Sequence, residues 1–99
     1  MRRSEIIAKL KETEPALRAR GVGALYLFGS YARDEARPDS DVDVFVDPGT
    51  QDFYSLSHFV EASDVLRDAV PGRNIGYGTR NGLSKYIRPE VEQSAIRLF

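Results

Sequence analysis

An apolar segment, Val22–Phe28, runs directly into Gly29-Ser30, and this junction constrains the fold more than any other part of the chain. A segment that is apolar on both faces of an extended chain is typical of a strand inside a sheet. The glycine and serine that follow predict a tight turn that opens a short helix. A second strand is predicted at Asp41–Val46, and Asp47-Pro48-Gly49 should end it.

Two acidic residues, Asp41 and Asp43, stand at the start of this second strand. Alternate residues of a strand share a face, so both carboxylates should point the same way from Cα atoms roughly 6–7 Å apart. Carboxylates at that spacing can hold Mg²⁺, which often binds one or two of them together with substrate phosphates. An isolated Asp-x-Asp is more often a solvated strand end. The Gly-Ser turn upstream reverses that preference and favours a metal site.

The turn itself has the composition of an anion site. Gly29 lets a phosphate approach the backbone, and Ser30 adds a hydroxyl beside the amides that begin a helix. Arg33 lies one turn further and could contact a phosphate with its forked guanidinium, or instead pair with a nearby acid. Ser40 immediately precedes the acidic pair and could orient it or contact a nucleotide.

The rest of the chain predicts helices around a small sheet. A first helix should be capped by Ser4, interrupted by Pro15 and ended by Gly21. A third strand is predicted at 74–79 and a last helix from Pro89 to Ile96. A helix over 51–70 carries an apolar stripe at 3.6-residue spacing, formed by Phe53, Leu56, Phe59, Val60, Leu66 and Val70. The expected fold class is α/β (α+β), a small mixed β-sheet with flanking helices.

Size and composition narrow the function classes. The 99 residues make one domain. Fourteen basic and fifteen acidic residues give a net charge of −1, which argues against direct coating of nucleic acid. The absence of cysteine excludes disulfides and thiolate–zinc sites. No apolar stretch approaches the ~20 residues needed to cross a bilayer, and the charged start lacks a signal-peptide pattern. A cytoplasmic protein without a membrane partner is expected.

The spacing Gly29-Ser30, ten residues, then Asp41-Val42-Asp43 resembles the G-S-x10-D-x-D signature of the nucleotidyltransferase superfamily that includes DNA polymerase β. Almost the whole chain is similar to one branch, the minimal nucleotidyltransferase (MNT) proteins. The resemblance is carried by Phe28-Gly-Ser-Tyr-Ala-Arg33, by Ser40-Asp-Val-Asp-Val44 and by the end from Lys85 to Phe99. It implies a single nucleotidyltransferase domain over residues 1–99 with the polymerase β-like fold.

The resemblance also implies an activity and a partner. Many members of this family are encoded beside a HEPN-domain protein and act as its antitoxin. They transfer AMP from ATP, with Mg²⁺, to a tyrosine hydroxyl of that partner, with which an oligomer can form. By position, Asp41 and Asp43 match the catalytic and metal-binding pair. Gly29 and Ser30 match the phosphate-binding turn. Arg33 and Ser40, which are inferred from the residues themselves, complete the predicted nucleotide-binding set.

One position departs from the family pattern. Members place a third carboxylate on the third strand, where this chain has Gly76 in Ile75-Gly-Tyr-Gly-Thr79. Glycine can neither bind a cation nor take a proton through a side chain. The alternative function is therefore a catalytically impaired MNT domain that neutralises a toxin by binding or senses nucleotide. A weaker alternative is a catalytic domain that works with a separate substrate-binding subunit in small-molecule adenylylation.

Overall fold

A computed structural model describes residues 2–37 and 39–99, with the backbone alone for Asp52, Tyr54 and Leu56. It contains a four-stranded sheet in the order β3-β2-β1-β4, which confirms the predicted small mixed sheet with flanking helices. The strands are β1 Val22–Phe28, β2 Val42–Pro48, β3 Ile75–Thr79 and β4 Ile96–Arg97. The helices are α1 Arg3–Lys11, α2 Glu14–Ala19, α3 Gly29–Ala32, α4 Leu56–Ala69 and α5 Arg88–Ser94.

The strand pairing sets which residues stand side by side. β1 is antiparallel to both β2 and β4, and β2 is parallel to β3. The interior position predicted for β1 is therefore confirmed. Phe28 is in register with Asp43, and Asp43 is in register with Gly76. Because paired residues share a face of the sheet, these three positions form one row across three strands.

The two faces of the sheet are packed differently. On one face, alternate residues of β2 join a buried core, which contains Val42, Val44, Val46, Ile6, Leu10, Leu17, Leu25, Leu27, Ala62, Leu66 and Val70. Helices α1, α2 and α4 supply its outer half. The opposite face carries Asp43, Phe45 and Asp47, since side chains alternate along a strand. Within the described part of the chain, no helix is long and apolar enough to cross a membrane.

The predicted interruption of the first helix at Pro15 is confirmed, and the predicted N-cap at Ser4 is wrong. Pro15 lies in the first turn of α2, where its missing N–H removes no hydrogen bond, and α1 ends before it. Ser4 lies inside α1, whose N-cap is Arg2 without a side-chain cap. Gly21 follows α2 with a φ of +89°, so it ends that helix as predicted.

Several other boundaries differ from the prediction. The predicted helix at 51–70 is a 3₁₀ turn at Gln51–Tyr54 followed by α4, because the Ser55 hydroxyl accepts the His58 N–H at 3.3 Å and begins a new helix. β2 begins after Asp41 and continues through Pro48. The last helix ends at Ser94, and β4 after it was not predicted.

The predicted apolar stripe of residues 51–70 is confirmed at Phe53, Leu66 and Val70, which are fully buried. Val60 is 47% exposed, so it lies on the solvent side of α4. The side chain of Leu56 lies outside the described residues.

Arg80, directly after β3, ties the last helix to the open face of the sheet. Its guanidinium lies over the rings of Tyr26 and Phe45, 4.8 and 5.0 Å from their centroids. Nε and Nη2 donate to the two carboxylate oxygens of Asp47, each at 2.9 Å, and Nη1 donates to Glu92 Oε2 at 2.7 Å. Glu92 belongs to α5, so a single cation joins β2, β3 and α5.

We predict that Arg80→Ala lowers the free energy of unfolding by about 2 kcal/mol, because it leaves Asp47 unpaired and uncovers two rings. The control is Arg67→Ala, since Arg67 pairs with Asp64 while both side chains are more than 60% exposed. That control should change stability by less than ~0.5 kcal/mol. Urea unfolding of the two variants makes the comparison, and equal losses would contradict the role of Arg80.

Candidate active site

The carboxylate of Asp43 lies between two residues that have no side chain. A Cβ atom built on Gly29 would stand 2.5 Å from Asp43 Oδ2, and one built on Gly76 would stand 2.5 Å from Asp43 Oδ1. Real Cβ atoms do not approach oxygens that closely, so any other residue at either position would require the carboxylate oxygen it meets to shift. Gly29, the first residue of α3, and Gly76 of β3 thus form a cradle for the Asp43 carboxylate.

The backbone at Gly29 adds a second reason for glycine. Its φ of +74° lies in the left-handed region that residues with a Cβ rarely adopt. This conformation turns the chain sharply from β1 into α3. Arg3 of α1 then fixes the far end of α3, because its Nε donates to the Tyr31 carbonyl at 2.6 Å and its Nη2 to the Ala32 carbonyl at 3.3 Å.

Two further charges act on Asp43. Burial raises its pKa above the ordinary value, the negative charge of Asp41 raises it further, and the positive charge of Arg33 lowers it. Asp41 itself is exposed, immediately before β2. Two carboxylates that repel each other beside open space are a suitable donor set for a divalent cation, which removes the repulsion. Asp41 and Asp43 therefore fit a Mg²⁺ ion.

The other predicted site residues, Ser30, Arg33 and Ser40, differ in burial and in the contacts that they make. Ser30 is half-buried next to Gly29, and its hydroxyl makes no hydrogen bond with any described residue. Arg33 is exposed, and its Nε lies 3.6 Å from Glu35 Oε1. Its positive charge therefore interacts with two acidic residues, Glu35 and Asp43. The Ser40 hydroxyl accepts the Arg37 N–H at 2.7 Å and closes the loop before the acidic pair.

Two clefts open near the acidic pair, one beside Gly29 and one over Asp43 itself. The first has a volume of about 440 Å³ and lies between α3 and α5, where Gly29, Arg33, Glu90, Val91, Gln93 and Ser94 line it. We call it the Gly29 cleft. The second has a volume of about 270 Å³ and lies over the start of β3, where Phe28, Asp43, Phe45, Gly76, Gly78 and Leu83 are among its lining residues. We call it the Gly78 cleft.

The structure thus brings the Gly-Ser turn, Arg33 and the acidic pair together, as the sequence predicts. It does not supply a third acid, because no group of three or more His, Asp and Glu side chains in the described ranges could together hold a metal. His58, the only histidine, lies in α4 on the covered side of the sheet.

Sequence reasoning missed the walls of both clefts. Phe45 could have been placed beside Asp43 from the two-residue period of the strand. The lining by α5 has no local sequence signal, because it depends on how the last helix packs.

Comparisons with known proteins agree with this fold. Residues 4–97 match the family described as nucleotidyltransferase domain. A protein of Thermococcus cleftensis named protein adenylyltransferase MntA is 38% identical over 93 residues, which cover 88% of this chain and 90% of that protein. A solved structure assigned as a minimal nucleotidyltransferase has a TM-score of 0.80 and 26% identity, covering 97% of this chain and 95% of that one.

A crystal structure of a toxin-antitoxin with AMP-PNP has a TM-score of 0.65 and 20% identity. The match covers all of this chain and 73% of the other. At that identity the likeness concerns the fold alone.

We predict that Asp43→Asn stabilises the metal-free protein at pH 7. The raised pKa means that the folded state binds the Asp43 proton more tightly than the unfolded state, so this group destabilises the fold while it is ionised. The destabilisation disappears as pH falls through the raised pKa toward 3.8. Urea unfolding in a chelator at several pH values should show a variant that is more stable at pH 7, with a difference that shrinks in acid. A variant less stable at pH 7 would contradict the burial and repulsion described for Asp43.

Proposed function

The chain belongs to the nucleotidyltransferase domain family, and on that premise we propose that it transfers AMP from ATP to a tyrosine hydroxyl of a partner HEPN-domain toxin. The transfer depends on Mg²⁺ and makes the protein an antitoxin. One observation carries the proposal: the Asp43 carboxylate is cradled between Gly29 and Gly76, next to a serine hydroxyl that has no partner among the described residues. A carboxylate pair beside such a turn suits a metal–triphosphate complex.

Each predicted site residue has a role in this proposal. Asp41 and Asp43 hold Mg²⁺, which neutralises charge on the phosphate oxygens and orients them. Ser30 donates its hydroxyl to a phosphate oxygen, and Gly29 allows that oxygen to approach the backbone. Arg33 turns from Glu35 to the phosphates, because a guanidinium binds phosphate oxygens with two donors.

Ser40 acts one step away from the nucleotide in this scheme. Its hydroxyl accepts the Arg37 N–H at 2.7 Å, which fixes the loop directly before Asp41. A hydroxyl that accepts one hydrogen bond still has its proton to donate. We propose that Ser40 sets the direction of Asp41 and donates to the nucleotide.

The Gly29 cleft is the proposed nucleotide site. Its volume of about 440 Å³ falls within the roughly 300–1,000 Å³ of small-molecule sites. Gly29 and Arg33 form one wall, and Gln93 and Ser94 of α5 offer amide and hydroxyl groups on the other. In this proposal the phosphates of ATP lie at Gly29, the residue that joins the cleft to Asp43.

The proposed reaction is a displacement at the α-phosphorus. The acceptor oxygen forms a bond to that phosphorus while the bond from phosphorus to the oxygen bridging to the β-phosphate breaks. The electron pair of the broken bond leaves with pyrophosphate, and the acceptor proton passes to water. Positioning and charge neutralisation supply most of the rate in such transfers.

Two comparisons support the acceptor and the partner. The relative in Thermococcus cleftensis carries a name that describes transfer of adenylyl groups to protein. The fold recurs in a toxin-antitoxin structure that contains an ATP analogue. Both agree with an acceptor on a second protein, with which this chain would form a complex.

Gly76 favours a second candidate function, an antitoxin that binds its toxin without modifying it. With two carboxylates and no third acid on β3, the chain would still bind Mg·ATP and sense nucleotide. The two functions differ in one respect, which is whether AMP becomes covalently attached to the partner.

We predict that Asp43→Asn abolishes Mg²⁺-dependent ATP binding in calorimetric titration and lowers AMP transfer at least a hundredfold, because the site loses a metal ligand. Transfer is measured with labelled ATP and with the product of the neighbouring gene as the acceptor protein. Asp68→Asn is the matched control, since Asp68 is an exposed residue of α4, and it should behave like the wild type.

Label on the partner that vanishes with Asp43→Asn would establish the transfer. A tight complex with Mg·ATP binding and no label would establish the second candidate. Unchanged ATP affinity in Asp43→Asn would refute the metal site in both.

A further inference from the structure

The Gly78 cleft is created by missing side chains. Gly76 and Gly78 are in register with Asp43 and Phe45 of β2, so both lie on the open face of the sheet. A Cβ atom added at Gly78 would meet nothing within 4 Å. Gly76 is explained by the Asp43 carboxylate packed against it, whereas Gly78 weakens a five-residue strand and the open space above it gives no packing in return. Folding alone therefore does not explain Gly78, whereas close approach of a ligand would.

The walls of this cleft are mostly apolar. The ring of Phe28 forms one side and packs on the fully buried ring of Phe45, with 5.6 Å between the centroids, and Leu83 contributes to the other side. Asp43 is the only charged residue among those that line it. The site therefore suits a flat apolar group that carries one polar atom at the end facing Asp43.

The volume of the Gly78 cleft indicates which part of the two substrates of the proposed reaction it can hold. A volume of about 270 Å³ lies below the roughly 300–1,000 Å³ of sites that hold whole small molecules. It is also smaller than the Gly29 cleft, at about 440 Å³. One side chain fits the smaller cleft better than a nucleoside does.

The position of the cleft agrees with the direction of attack. In phosphoryl transfer the attacking and leaving oxygens are roughly in line on opposite sides of the phosphorus. Gly29, which lines the Gly29 cleft, stands against Asp43 Oδ2, and Gly76, which lines the Gly78 cleft with Asp43, stands against Oδ1. The first cleft therefore lies towards β1 from this carboxylate and the second towards β3. With the leaving pyrophosphate next to Gly29 and Ser30, the acceptor must enter over β3.

We infer that the Gly78 cleft binds the ring of the acceptor tyrosine with its hydroxyl at Asp43, and that Gly78 determines this specificity. The inference rests on the proposed AMP transfer. Within that transfer the phenol oxygen forms the new bond to the α-phosphorus, pyrophosphate leaves, and the phenol proton goes to water.

A phenolic acceptor also suits a site without a third carboxylate. The tyrosine hydroxyl has a pKa of about 10, whereas that of water is about 15.7. A phenol therefore gives up its proton without the strong base that an aliphatic hydroxyl needs. Gly76 would then discriminate against serine as well as leave room for the ring.

The test uses N-acetyltyrosinamide as the acceptor probe and N-acetylserinamide as its control. In the wild type, the tyrosine probe should shift the backbone amide signals of Gly76, Gly78 and Leu83, and the serine probe should not. Gly78→Val fills the open space and should weaken binding of the tyrosine probe at least tenfold. Gly78→Ala should weaken it to a smaller extent. Mg·ATP affinity, which reports the folded site, should stay within twofold of the wild type.

Gly72→Asn is the matched control, because it removes a glycine from the turn before β3 where nothing lies within 4 Å and asparagine accepts the positive φ. It should bind both probes as the wild type does.

The inference is overturned if the tyrosine probe shifts none of the three amides, or if Gly78→Val binds it or accepts AMP onto it as well as the wild type. AMP transfer that is indifferent to Gly78→Val leaves the proposed function standing without this cleft. Binding of the tyrosine probe at the three amides without any AMP transfer leaves the aromatic cleft standing and removes the proposed chemistry.

Discussion

The position of one carboxylate, that of Asp43, depends on two neighbouring residues that lack side chains. The antiparallel pairing of β1 with β2 brings Gly29 to one side of it, and the parallel pairing of β2 with β3 brings Gly76 to the other. Because a Cβ atom at either position would collide with a carboxylate oxygen, the acid and the two glycines form one structural unit. The phosphate-binding turn, the acidic pair and both clefts are arranged around that unit.

The division of the sheet into two faces makes such a site possible in a small domain. One face buries Val42, Val44 and Val46 under the helices, and this core supplies the apolar burial that holds the domain together. The other face is free to carry charges and bare glycines. Arg80 closes part of that open face by pairing with Asp47 and Glu92, and it thereby holds α5 at the edge of the Gly29 cleft. Stability and chemistry are therefore separated by the alternation of side chains along β2.

Much of this arrangement could be read from the sequence. Strand β1 and the sharp turn at Gly29 follow from an apolar run that ends in small residues, and the shared face of Asp41 and Asp43 follows from the strand period. The missing third acid at Gly76 is also visible in the sequence.

What could not be predicted depends on contacts between distant segments. β4 has only two residues, and its pairing with β1 gives no periodic signal. The role of Arg80 requires Tyr26, Phe45, Asp47 and Glu92 to converge from three elements. The prediction of a single helix at 51–70 was wrong for a local reason, because Ser55 caps a new helix and divides the segment.

The most direct test of the central claim is to replace Mg²⁺ with Mn²⁺, which the same carboxylate ligands bind, and to measure paramagnetic broadening of backbone amide signals with ATP present. The account predicts the strongest broadening at Gly29 and Gly76, on either side of Asp43, and its loss in Asp43→Asn. Strongest broadening at another acidic part of the chain, or broadening at these glycines that persists in Asp43→Asn, would contradict it.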